Sequence, residues 1–132
     1  MAEKILVVDD SSFMHSMYDM VLGVVADREV LHAESGIEAL EVLARTPDCD
    51  LIVLDINMPE MNGLEFLEQY MGSGFPRLAP VVISSTEGTE DDTQRGLDAG
   101  AVAYLKKPFQ PSDLQEVVRS ILEGANKQES LT

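Results

Sequence analysis

The sequence predicts an α/β fold, a doubly wound parallel sheet with helices on both faces. Three observations carry that reading. Short β-branched runs recur along the chain without polar alternation, as strands buried on both faces require. Helical periodicity fills the gaps between them, so the order reads βαβαβαβαβα. The chain has 132 residues, 45% of them hydrophobic, enough for one core and too few for two. Alternation at this spacing implies right-handed crossovers.

The first strand spans residues 4–8 (KILVV) and leads into a helical stripe of Met14, Met17, Val21 and Val24. The second, residues 29–33 (EVLHA), is mixed in character, as an edge strand is. Ser35 and Glu38 form a capping-box-like start for a helix carrying Ile37, Leu40 and Leu43. The third strand, residues 50–54 (DLIVL), precedes a helix opened by Asn62 and Glu65 and striped by Leu64, Leu67 and Met71. The fourth is residues 80–83 (PVVI). Thr89 and Asp92 then open the segment 89–99, which has little apolar face beyond Leu97 and is expected to pack loosely. The fifth strand is residues 102–105 (VAYL). Pro111 suits the first turn of a last helix whose stripe is Leu114, Val117, Val118, Ile121 and Leu122. Residues 1–124 are expected to form the domain, and 125–132 a frayed polar tail.

Charge narrows the function. Nine Lys and Arg face 24 Asp and Glu, a net charge of −15. Such a surface repels phosphate backbones, so no nucleic-acid partner is expected. Cys49 is the sole cysteine, which excludes an internal disulfide framework and a Cys-based zinc site. No apolar run approaches the ~18 residues of a membrane span, and the start does not read as a signal peptide. The expectation is a cytoplasmic, monomeric protein without a membrane partner.

In open α/β sheets the site lies beyond the carboxyl ends of the strands. Asp9 and Asp10 follow the first strand, and Asp55, Ile56, Asn57, Met58 and Pro59 the third. Ser84, Ser85, Thr86 and Glu87 follow the fourth, and Lys106, Lys107 and Pro108 the fifth. Crowded carboxylates repel one another and raise their pKa values unless a cation holds them. Hard oxygen ligands suit Mg²⁺. A carboxylate can attack phosphorus to give an aspartyl phosphate, whose equatorial oxygens need a metal, an ammonium and a hydroxyl. The first turn, Val-Val-Asp-Asp-Ser-Ser, repels anions, which argues against nucleotide- and flavin-phosphate folds. Taken singly, each motif reads more readily as turn or cap chemistry; the agreement of four strand ends carries the inference. His15 and His32 are read as isolated structural or surface residues, and Met14, Met17 and Met20 as core or its margin.

The stretches ILVVDDS, SGIEAL, LDINMPEMNG and LKKPF together resemble a response-regulator receiver domain, close to the single-domain chemotaxis (CheY-like) type. The likeness spans roughly residues 3–124. It implies a flavodoxin-like sheet of order 2-1-3-4-5 with five helices. It implies Asp55 as phosphoacceptor, and Asp10, Asp55 and the Asn57 backbone carbonyl as direct Mg²⁺ ligands, with Asp9 acting largely through water. Lys107 is the implied phosphoryl-pairing lysine, Ser85 the switch hydroxyl, Tyr104 the aromatic switch, and Lys107-Pro108 a cis peptide. Thr86 departs from the small residue usual at its position.

The function so implied is a two-component signalling switch. A histidine kinase or histidine phosphotransfer protein donates a phosphoryl group to Asp55, and the face of the fourth helix, fifth strand and fifth helix binds an output protein. The chain is expected to be no enzyme beyond catalysing its own phosphorylation and dephosphorylation. The alternative is a phosphorelay shuttle passing phosphoryl from Asp55 to a histidine phosphotransfer protein. A phosphatase with an aspartate nucleophile would need a general acid two residues on, where Asn57 stands.

Overall fold

The computed structural model describes residues 3–58, 63–75, 77–85 and 90–131. The elements follow the expected alternation: β1 (Glu3–Val8), α1 (Ser12–Leu22), β2 (Arg28–Ala33), α2 (Gly36–Arg45), β3 (Leu51–Asp55), α3 (Gly63–Met71), β4 (Val81–Ser85), α4 (Glu90–Asp98), β5 (Ala103–Lys106) and α5 (Pro111–Leu131). The strands form one parallel sheet in the order β2-β1-β3-β4-β5. β3 and β4 are buried along their whole length: their apolar runs 51–54 and 81–83 require it, and the polar Asp55, Ser84 and Ser85 at their carboxyl ends are buried as well.

The pleat divides each strand between two cores. Leu6, Val8, Ile52, Leu54 and Ile83 pack with α2 and α3 on one face. Ile5, Val7, Leu51, Val53 and Val82 pack with Tyr18 and Leu22 of α1 and Leu114, Val118 and Leu122 of α5 on the other. Successive strand residues thus serve opposite faces.

Caps set where the helices begin. The Ser11 hydroxyl accepts the Met14 N–H at 3.3 Å, and Ser35 accepts that of Glu38 at 3.1 Å. The Glu38 carboxylate returns to the N–H of Glu34 rather than to that of Ser35, so the capping box is shifted by one residue. The starts assigned to Asn62 and Thr89 fall on positions outside the described residues.

Several periodicity readings are corrected. α1 stops at Leu22, so Val24 lies beyond it and is exposed, as is Met20. On α2 Ile37 faces solvent, and the buried face is Gly36, Ala39, Val42 and Leu43. β4 runs two residues further than expected, so Ser84 and Ser85 belong to the strand. The expected stripe of the last helix lies on α5 (Pro111–Leu131), with Leu114, Val118 and Leu122 buried.

The opposite edge of the sheet, at the amino ends of the strands, is tied by ion pairs. Lys4 pairs with Asp48 at 2.8 Å, Arg28 with Glu3 at 3.2 Å and Arg77 with Asp50 at 3.1 Å. Among the described residues no helix is long and apolar enough to cross a membrane.

Candidate phosphoacceptor pocket

Register brings the chemistry together. Val8 of β1 stands opposite Leu54 of β3, so Asp9 and Asp55 leave the sheet side by side. Asp55 stands opposite Ser84, and Ser85 opposite Lys106. Each strand end is therefore locked to its neighbour, and the N–H of Lys107 continues the ladder to the Ser85 carbonyl at 2.8 Å.

Asp9 and Asp55 are buried and Asp10 is exposed. Oxygens of the three carboxylates lie within 4.8 Å of one another. Lys107 Nζ donates to Asp9 Oδ2 at 2.7 Å and stands 3.5 Å from Asp55 Oδ2. The other Asp9 oxygen accepts the Ser11 N–H at 2.9 Å, and Asp55 Oδ1 accepts the Asn57 N–H at 2.9 Å. Burial pushes the Asp55 carboxyl above the usual carboxylate range, the Asn57 N–H and the Lys107 ammonium pull it back, and the Asp9 and Asp10 charges raise it again. The Ser85 hydroxyl donates to the Asn57 side-chain oxygen at 2.6 Å. The Lys107-Pro108 peptide is cis.

A cavity of about 600 Å³ opens over this pocket. Its polar floor is Asp9, Asp10, Asp55, Asn57 and Lys107, and Phe13, Met14, Met17 and Phe109 form its apolar wall. Phe13 is 76% exposed.

The structure thus gathers Asp9, Asp10, Asp55, Asn57, Ser85 and Lys107 at one edge. Tyr104 lies further back on β5, half-buried against the α2–α3 core. Its hydroxyl is buried without a hydrogen-bond partner among the described residues. Thr86 falls outside the described residues.

Two features escaped sequence reasoning. The Asn57 side chain holds the Ser85 hydroxyl, a contact between residues 28 apart that no local spacing announces. His15 and His32, read as isolated, meet with Nδ1 atoms 2.6 Å apart. His32 pairs in register with Val7 of β1, and α1 carries His15 to its edge of the sheet. That crossing is a tertiary fact.

The donor set suits a small hard cation: oxygen ligands only, two of them buried, one exposed toward solvent, and a single ammonium already engaged among them.

Comparison with known proteins points the same way. The family model described as response regulator receiver domain matches residues 5–119. A chemotaxis protein CheY homolog of Campylobacter jejuni is 37% identical over 119 residues, covering 90% of this chain and 92% of the relative. Chemotaxis protein CheY1 of Helicobacter pylori is 37% identical over 123 residues, covering 93% and 98%. The solved structure of chemotaxis protein CheY4 of Vibrio cholerae superposes with a TM-score of 0.82 at 34% identity, covering 92% of this chain and 100% of that one.

Proposed function

The chain belongs to the response-regulator receiver family, whose members act in phosphorylation-dependent two-component signalling, and from that premise we propose that it is a stand-alone switch phosphorylated on Asp55. The observation that carries the reading is the Asp55 carboxylate itself. It is buried at the middle of the acidic edge, held at one oxygen by the Asn57 N–H and faced at the other by Lys107.

An Asp55 oxygen attacks phosphorus of a phosphohistidine on a kinase or phosphotransfer protein. The O–P bond forms as the P–N bond breaks, and the electron pair of that bond stays on the donor imidazole, which takes a proton from water. Asp10, Asp55 and the Asn57 carbonyl would hold Mg²⁺, which when bound would supply charge neutralisation to the phosphoryl oxygens. Both Asp9 oxygens are engaged, by Lys107 and Ser11, which supports an indirect role for Asp9.

Lys107 exchanges its Asp55 contact for a phosphoryl oxygen. Ser85 leaves the Asn57 oxygen to donate to another, and Tyr104 turns into the space so released. The Tyr104 hydroxyl, without a partner among the described residues, supports this, since a buried donor without an acceptor is in a poor resting place. The face of α4, β5 and α5 then presents a changed surface to an output protein. The chain works as a cytoplasmic monomer and turns over no substrate but its own phosphoryl group.

Mass spectrometry after acetyl phosphate and Mg²⁺ tests the assignment. One adduct on Asp55, absent from Asp55→Asn, is expected. Lys107→Ala should still be labelled but fail to bind the output partner. An adduct on another residue overturns the reading.

A further inference from the structure

Beside the acidic pocket, His15 of α1 and His32 of β2 meet at a half-buried edge of the molecule. Their ring centroids are 4.8 Å apart with planes inclined at 63°. His15 Nε2 lies 2.7 Å from the backbone carbonyl oxygen of Asp9. His32 Nε2 lies 2.8 Å from Oδ1 of Asp19, one helical turn beyond His15. A carbonyl and a carboxylate only accept, so both Nε2 atoms carry the hydrogen. A neutral imidazole has one N–H. Both Nδ1 atoms therefore aim bare lone pairs at each other across 2.6 Å, an arrangement that calls for a cation between them.

We propose that His15 and His32 are the two protein ligands of a site for a divalent transition metal of the Zn²⁺, Cu²⁺ or Ni²⁺ class, separate from the acidic pocket. Imidazole nitrogen suits these ions and not Mg²⁺. The outer contacts support the assignment: histidines that bind metal usually donate their second ring N–H to a carboxylate or a backbone carbonyl. Here Asp19 serves His32 and the Asp9 carbonyl serves His15. Metal–nitrogen bonds of about 2.0–2.1 Å need the two Nδ1 atoms to part by somewhat less than ~1 Å. The His32 side chain is 33% exposed and that of Asp19 60%, so rings at this edge have room to move and water can complete the coordination. Where a proton bridges the rings beforehand, one proton leaves to solvent for each metal bound, and no other bond changes.

The proposal does not rest on phosphorylation of Asp55. Titration calorimetry of the untagged full chain with ZnCl₂, in excess Mg²⁺, tests it. One equivalent is expected to bind the wild type, with shifts of the His15 and His32 ring resonances. His15→Gln and His32→Gln should each bind at least about tenfold more weakly, and Asp19→Asn about tenfold. Asp55→Asn should bind zinc as the wild type does. Should a histidine substitution unfold the chain, the ring resonances of the wild type decide alone. Zinc affinity indifferent to both histidine substitutions, or lost in Asp55→Asn, overturns the proposal. So does a wild type that takes up no zinc.

Discussion

α4 and α5 precede and follow the same strand, β5, in the chain and are held quite differently. α5 sets Leu114, Val118 and Leu122 into the core. α4 buries Gly96, while its largest apolar side chain, Leu97, is 38% exposed. A Cβ on Gly96 would overlap the Ile83 side chain of β4, so this helix sits on the sheet by backbone approach rather than by interlocking side chains. Helices with few buried contacts open at low cost. The contrast teaches which part of the face proposed to meet an output protein is anchored and which is poised to move.

The largest expected effect lies on the anchored side. Leu114→Ala should cost about 2–5 kcal/mol in chemical denaturation, and amides of α5 should exchange far more slowly than those of α4. A comparable loss from any single truncation on α4 would erase the distinction. Gly96→Ala comes next. Overpacking against Ile83 costs about 1–3 kcal/mol, and the gain in helix propensity, about 1 kcal/mol, offsets part of it. A thermal melt showing net stabilisation would mean that α4 simply shifts outward.

Two tyrosines extend the comparison. The Tyr70 hydroxyl accepts the Ala79 N–H at 2.7 Å, so Tyr70→Phe should cost about 1–2 kcal/mol by leaving that donor unpaired. Tyr104→Phe removes a hydroxyl that has no partner among the described residues and should be neutral or stabilising under the same melt.

Asp55→Asn, in chelator, should stabilise the protein by on the order of 1 kcal/mol at neutral pH, because a desolvated carboxylate is removed. The folded carboxyl titrates above its unfolded value, so between the two values the native state binds more protons. The contribution of Asp55 to stability therefore rises as pH falls through the raised value, and the gap to Asp55→Asn should close in acid. A gap that widens in acid would contradict the desolvation argument. The smallest effect belongs to Leu97→Ala, below about 0.5 kcal/mol.

The strands and the pocket acids were legible because buried parallel strands are written as apolar runs and the chemistry follows their ends. The weak apolar face of α4 was legible too, but not its contact with the sheet. Hydrophobic periodicity pointed to Leu97, whereas Gly96 makes the approach and carries no hydrophobic signal. On α2 the same measure favoured Ile37 over Ala39, although the small residue is the one packed against the sheet. The links from Ser85 to Asn57 and from His15 to His32 depend on strand register and helix crossing, which only the folded chain supplies.

The three ion pairs along the amino ends of the strands bear on how quickly other molecules find the protein. Lys4, Arg28 and Arg77 are spent on the edge opposite the acids, and Lys107 is engaged within the acidic pocket itself. The protein therefore meets visitors to that pocket with a negative field. A small anionic phosphodonor is repelled on approach, so its reaction should quicken as salt screens the charge. A protein donor with a basic docking surface is drawn in, and its encounter rate should fall over the same salt range. Ionic strength thus sets which class of donor the pocket sees first.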